Sequence, residues 1–364
     1  MRMSPSSLEK HRFSYVLLFL VSMVAHSAFS LYFVNRYSFH RFANLYDASI
    51  FIEIAKSGYS AENVGRFAMF PLFPFFIRIL APIVGYDISA LIMVVLFSST
   101  STVVFYKIAQ IKSRFPFLIS LFFVFSAYPW FVVSSLPYSE PLFTLLALST
   151  YYLVEKNRYL LSGIAVAGAA LTRLAGILLV VIILYGAIKE RKLRNAIWTV
   201  LPIISLGTLF TYFYFLTGDF LAVIHVERAW ASELPYGGTY LVFPFSFILH
   251  FVQTGLLLPN YWRIVLLFGV YTYGLYRIRR DVGLLAFSLP TYLLAASLSP
   301  FPTFWFGMDR QLVPIFSSCF FAYEKYLCGG RLWNKLLYVA LVVMFVLFSW
   351  RIVDRWCLLA PVVP

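Results

Sequence analysis

Asp47 is the residue whose neighbours best equip it to move a proton. It stands in Tyr46-Asp47-Ala48-Ser49, ahead of Ile50, Phe51, Ile54 and Ala55, whose spacing is the apolar stripe of a short amphipathic helix. Two readings are open. At the start of such a helix an aspartate caps free backbone N–H groups. Facing a cavity beside aromatic Tyr46, its carboxylate is a general base.

Three separated arginines come next. Arg66 precedes Phe67-Ala68-Met69-Phe70-Pro71-Leu72-Phe73-Pro74, Arg173 follows Thr172, and Arg310 follows Asp309 and heads an apolar stretch containing Pro314. A guanidinium grips phosphate through two parallel N–H groups. Each has an ordinary alternative: headgroup contact for Arg66, a pair with Glu140 for Arg173, a pair with Asp309 for Arg310. Together they predict an anionic group in a cavity. Glu140, after Tyr138-Ser139, opens an apolar run, where an ionisable side chain is costly and usually paired or functional.

A further stretch runs from Gly218 to Trp230. Trp230 offers a flat apolar face, and Asp219, His225 and Glu227 can accept hydrogen bonds from sugar hydroxyls. A solvated loop helix explains each residue singly. His225 and Glu227, two apart, lie on different helix faces, and with five histidines in the chain no metal site is expected. No Walker-type glycine loop, GxSxG or HExxH occurs.

The elements that must position these residues are apolar. Of 364 residues, 61% are hydrophobic, 20% aromatic and 12% charged. A water-soluble domain carries about a quarter charged residues. So little charge excludes a soluble globular domain, a disordered chain and an ordinary nucleic-acid binder, and predicts a polytopic membrane protein. Cys319, Cys328 and Cys357 show no CxxC spacing, so neither a disulfide framework nor a zinc site is expected. Arg2, Lys10 and Arg12 precede an apolar run from Phe13 to Val34, longer than a signal-peptide core of roughly 7–15 residues, and this run is read as a retained first helix.

Short cytoplasmic loops collect Lys and Arg. Six basic clusters (Arg2/Lys10/Arg12, Lys107/Lys112/Arg114, Lys156/Arg158, Lys189/Arg191/Lys192/Arg194, Arg277/Arg279/Arg280 and Lys325/Arg331/Lys335) share the inner side if spans run over 13–34, 87–106, 116–134, 139–154, 159–171, 174–188, 196–216, 261–278, 282–299, 311–327 and 336–353. The expectation is an all-α transmembrane bundle of about 11 spans, with the N-terminus cytoplasmic and the C-terminus outside. Two proline-bearing segments, Ala68–Gly85 and Thr239–Asn260, are left as interfacial or re-entrant helices on the outer side, where irregular backbone must line a cavity. The large outer loops, about 35–86 and 217–261, then carry the chemistry. This topology puts 18 Lys and Arg against 5 acids inside, and 11 against 10 outside, so the net charge of +14 is an orientation signal.

Four stretches resemble the PIG-V family, whose eukaryotic members are the second mannosyltransferase of GPI-anchor synthesis. They are Tyr46-Asp47 through Gly58-Tyr59, Phe70-Pro71-Leu72-Phe73-Pro74 with Ile77-Arg78, Tyr138-Ser139-Glu140-Pro141-Leu142-Phe143, and Ala170-Leu171-Thr172-Arg173-Leu174-Ala175-Gly176. Gly218-Asp219 through His225 and Trp230 is similar too, as is Arg310 followed by Pro314, and the likeness runs in order over residues 40–320. The resemblance implies a GT-C-class integral-membrane glycosyltransferase, a single domain over 1–364. It implies a polyprenyl-phosphate sugar donor, typically dolichyl-phosphate mannose, and inverting transfer on the outer membrane face. The class has an acidic residue in the first outer loop, and Asp47 is the matching position, with Tyr46 where the family often has Trp. The compact chain looks like a prokaryotic member, so the eukaryotic acceptor is not carried over.

The reading that follows makes Asp47 the catalytic base, Arg173, Arg310 and Arg66 the donor-phosphate ligands, and Glu140, Asp219, His225, Glu227 and Trp230 substrate-binding residues. The partners are the lipid-linked donor, a glycan or glycolipid acceptor and membrane lipid, with no nucleic acid and no cofactor. The rival is a lipid flippase or small-molecule transporter. Transporters often carry inverted repeats, and the halves of this chain show no convincing repeat.

Overall fold

The structure is a computed structural model that describes residues 5–125, 130–232, 259–297, 312 and 318–359. Among these the fold is helical throughout, and no strand forms. Four helices are long and apolar enough to cross a bilayer: Arg12–Tyr37, Tyr86–Lys112, Leu193–Thr217 and Leu332–Leu359. Shorter apolar helices cover Leu72–Val84, Pro116–Phe125, Tyr159–Ala170, Leu174–Lys189 and Val282–Ala296. Helices Glu140–Glu155 and Pro259–Ile278 also fall at expected positions, whereas the expected 116–134 span is described as helices Pro116–Phe125 and Trp130–Val133, with 126–129 outside the described residues. The proline-bearing 68–85 segment follows a short 3-10 helix, Val64–Ala68, and forms the 13-residue helix Leu72–Val84. At about 1.5 Å per residue that helix reaches some 20 Å, too short for a hydrocarbon core of about 30 Å. Residues 239–258 of the second such segment lie outside the described residues.

The chain divides into two compact units: residues 1–56, 75–148 and 323–364, and residues 57–74 and 149–322. In the first unit, helix Pro5–Tyr37 packs along helix Tyr86–Lys112. The buried seam is small and hydroxylic: Ser22, Ser30, Ser98, Ser99, Ser101 and Thr102. An apolar medium offers these groups no water, so each must find a partner. Ser99, Ser101 and Thr102 donate to carbonyls four residues back, at 2.7–3.1 Å. Ser98 crosses to the Ser134 carbonyl at 3.1 Å, and Ser30 to the Ser135 carbonyl at 2.8 Å. Fully buried His26 sets Nδ1 3.1 Å from Ser135 Oγ. These bonds fix the loop that leads to Tyr138 and Glu140.

Within each unit, segments that carry basic clusters pack against one another. In the first unit the Tyr15 hydroxyl donates to Gln110 at 2.8 Å, and the Lys107 ammonium lies over the Tyr15 ring. Glu324 accepts from the Arg114 and Phe115 amides at 2.7 and 2.9 Å. In the second, Lys189 pairs with Glu155 at 3.6 Å, and Gly283, two residues past the Arg277–Asp281 turn, packs beside Tyr151 and Tyr185.

Candidate functional site

In the first unit, helix Asp47–Ser57 buries Ala48, Phe51, Ile52, Ile54 and Ala55 and leaves Glu53 and Lys56 exposed. Asp47 is its first residue and is half-buried. The expected capping position therefore belongs to Tyr46, which adopts φ = 50°, the left-handed region that an aromatic side chain seldom enters. The turn is closed locally: the Ser49 hydroxyl donates to the Tyr46 carbonyl at 2.8 Å, and the Ala48 amide to the Leu45 carbonyl at 3.1 Å. Glu140 belongs to the same unit, opens helix Glu140–Glu155 and is fully buried. Tyr138, 1% exposed, donates its hydroxyl to the Leu45 carbonyl at 3.4 Å. The segments carrying Asp47 and Glu140 are thus joined.

In the second unit, one apolar cluster holds together the segments that carry Arg66, Arg173, Asp219 and His225. It contains Phe67, Ala68, Phe70, Ala170, Leu206, Leu209, Phe213, Ala222, Val223 and Val226. The backbone ties the first two segments directly, Leu72 N–H donating to the Leu171 carbonyl at 3.1 Å. Arg66 sits half-buried in this frame, and its Nη1 donates to Ser57 Oγ at 2.8 Å and to the Gly58 carbonyl at 3.1 Å. The guanidinium so closes the 57–66 loop on itself.

Arg173 lies in the turn between helix Tyr159–Ala170 and the 3-10 start at Leu174. The hairpin is tight because Gly176 lies against the backbone of Ala169 and Ala170, where an added Cβ would sit 2.3 Å from the Ala169 carbonyl carbon. The segments expected as spans 159–171 and 174–188 thus meet in a short hairpin with half-buried Arg173 at its tip.

Helix Val200–Thr217 ends at Gly218, φ = 73°, whose amide bonds the Tyr214 carbonyl at 2.8 Å. This is the left-handed exit that glycine makes without penalty, and it turns the chain into Asp219. The Asp219 Oδ2 lies 2.6 Å from His225 Nδ1, and Oδ1 accepts the Leu221 amide at 2.9 Å. A carboxylate only accepts, so the imidazole proton is on Nδ1. The hydrogen bond from His225 and that from the Leu221 amide hold Asp219 below the usual carboxylate range. On helix Ala222–Ser232, exposed His225 and half-buried Glu227 flank buried Val226. The side chain of Trp230 and the whole of Arg310 lie outside the described residues.

Two residues beyond the sequence reading emerge. Tyr59, half-buried against Phe67 and Phe213 at centroid distances of 5.7 and 4.9 Å, donates its hydroxyl to the Met69 carbonyl at 2.6 Å. Burial pushes its phenol well above the ordinary value. Its signal is in the sequence, as the aromatic after Gly58. The other is Asp354, near the end of the last helix, whose Oδ1 accepts from Arg36 Nε at 3.1 Å and from the Tyr37 hydroxyl. No local pattern announces a partnership across 317 residues.

The sequence profile of the family described as mannosyltransferase (PIG-V) matches residues 18–191, a stretch that includes Asp47, Arg66, Glu140 and Arg173. No curated protein sequence matches the chain. Among solved structures, the archaeal oligosaccharyltransferase AglB from Archaeoglobus fulgidus, in complex with an inhibitory peptide and a dolichol-phosphate, superposes with a TM-score of 0.50 at 11% identity, over 97% of this chain and 56% of that one. The apo form of the Archaeoglobus fulgidus oligosaccharyltransferase gives a TM-score of 0.49 at 10% identity, over 95% and 56%. The chain spans little more than half the length of these oligosaccharyltransferase chains, and the first likeness makes the fold GT-C-like. Over residues 18–191, just under half of its length, the chain matches the PIG-V mannosyltransferase family.

Proposed function

We propose that the chain transfers a sugar, mannose by family analogy, from a polyprenyl-phosphate donor to a glycan or glycolipid acceptor on the outer membrane face, with inversion at the anomeric carbon. The observation that carries this reading is Asp47, the first residue of its helix within the family-matched stretch, half-buried and tied through Leu45 and Tyr138 to the Glu140 segment. The AglB complex, which holds a dolichol-phosphate, supports a polyprenyl-phosphate donor for a chain of this fold.

Asp47 takes the proton of the acceptor hydroxyl. The freed oxygen attacks C1 of the sugar from the face opposite the phosphate, the C1–O bond breaks, and polyprenyl phosphate leaves with the electron pair. Arg173, Arg310 and Arg66 are the donors for the departing phosphate. Positive charge aimed at developing negative charge in a water-poor cavity acts with little screening. Asp219, His225, Glu227 and Trp230 contact the sugars, and Glu140 is a substrate-binding carboxylate. The orientation that gathers the basic clusters on the cytoplasmic side leaves Asp47, Arg173 and Asp219 on the outer one.

The test incubates membranes containing the chain with radiolabelled polyprenyl-phosphate mannose and extracted lipid acceptors. Label on a new product supports transfer. Label accumulating in vesicles without a product overturns it in favour of transport. In Asp47→Asn, general-base catalysis worth about 10²–10⁴-fold is removed, so kcat falls by that order while the protein stays folded in the membrane. Activity near the wild-type level overturns the base assignment.

A further inference from the structure

The outer-loop aspartate is braced from the far end of the chain. Within the first unit, the last turns of helix Leu332–Leu359 meet the segment that runs from the end of the first helix to Asp47. Three residues of these turns, Asp354, Trp356 and Leu358, make the brace. Asp354 accepts from Arg36 Nε and from the Tyr37 hydroxyl. Arg41 Nη2 donates to the Leu358 carbonyl at 3.3 Å, one of the carbonyls that a helix C-terminus leaves without an internal partner. The Trp356 ring meets the Tyr46 ring edge-on, with centroids 5.7 Å apart and planes at 75°.

The third contact falls on the strained position. Tyr46 holds φ = 50° and is 46% exposed, so burial does not enforce its conformation. A left-handed backbone on an aromatic residue persists when its surroundings over-determine it. Here the surroundings are the Ser49 hydroxyl on its carbonyl and Trp356 on its ring. The next residue is Asp47, so the angle fixed at Tyr46 sets where the Asp47 helix starts and points.

We infer that Trp356, with Asp354 as its anchor, is a positioning residue for Asp47: the end of the last helix holds Tyr46 in its left-handed turn and so aims the carboxylate. These residues lie outside the family-matched stretch 18–191, and the role rests on the reading of Asp47 as the base.

The experiment uses the full chain in lipid nanodiscs. It measures kcat and KM for label transfer from polyprenyl-phosphate mannose, together with hydrogen exchange at the amides of residues 45–49. Because small misplacements of a catalytic group cost large factors in rate, Trp356→Leu is expected to lower kcat about tenfold or more, to leave KM for the donor within about twofold, and to raise exchange at 45–49. Trp356→Phe keeps a ring edge for Tyr46 and restores both. Asp354→Asn loosens the same amides and serves if Trp356→Leu does not fold. The inference is overturned if folded Trp356→Leu exchanges at 45–49 like the wild type, or if kcat falls with exchange unchanged. The two readings separate cleanly: an active Asp47→Asn removes the base but leaves the exchange effect standing, whereas unchanged exchange removes the brace whatever Asp47 does.

Discussion

The Tyr138 hydroxyl donates to the Leu45 carbonyl at 3.4 Å, across 93 residues of sequence. Two residues past Leu45 stands Asp47, and two residues past Tyr138 stands Glu140. A loop fixed by buried serines and His26 thereby reaches the turn that precedes the candidate base. The ring of Tyr138, 1% exposed, is part of the packing that holds this turn.

Ring and hydroxyl of Tyr138 separate by mutation. At 3.4 Å the hydrogen bond is long, so Tyr138→Phe should cost about 0.5–1 kcal/mol. Tyr138→Ala removes a buried aromatic and should cost about 3–5 kcal/mol. Thermal unfolding in detergent checks the ratio, and equal losses would mean that the hydroxyl dominates.

Gly176→Ala places a methyl 2.3–2.4 Å from backbone atoms of Ala169 and Ala170, which cannot rotate aside. The hairpin must open, at a cost of about 1–3 kcal/mol for overpacking. A lowered melting temperature together with reduced donor affinity is expected, because Arg173 rides on that turn. An unchanged melting temperature would show that the hairpin relaxes freely.

Asp219 gives a pH prediction with a definite sign. Its carboxyl is held low by His225, so it titrates lower folded than unfolded. The contribution is full above the unfolded value of about 3.9. It disappears as pH falls through the lowered folded value. Protection of the Leu221 amide, corrected for intrinsic exchange, should hold from neutral pH down to about 4 and be lost below. Asp219→Asn should flatten that profile, and a profile identical to the wild type would remove Asp219 as its cause.

Arg173 tests the phosphate assignment. Arg173→Lys keeps the charge but loses the planar fork, and Arg173→Ala loses both. The alanine variant should reduce kcat/KM for the lipid-phosphate donor by about 10²-fold, on the scale of a lost oxyanion donor. The lysine variant should recover part of it. Equal activity in all three proteins would place the phosphate elsewhere.

Much of the fold was legible along the chain. The breaks at Gly85, Ser113, Arg158 and Gly218 mark helix ends, and the thirteen residues from Leu72 to Val84 are too few to span. Helix periodicity and turn residues act over a few positions, so a linear reading finds them. The position of Asp47 at a helix start was legible for the same reason. That Tyr46 occupies the capping position in a left-handed turn was not, because nothing in Leu45-Tyr46-Asp47 demands it.

By itself, the sequence determined that this is a helical membrane chain and named the segments that matter, since hydropathy, charge bias and motif spacing are local properties. The tertiary structure decided what each segment leans on. It decided that Arg66 closes its own loop through Ser57 and Gly58, that Asp219 is held by His225, and that the turn before Asp47 packs against Trp356. Those partners stand 8 to 310 residues apart or share a turn whose angle a single glycine sets. Side-chain chemistry permits many such pairings, and packing selects one.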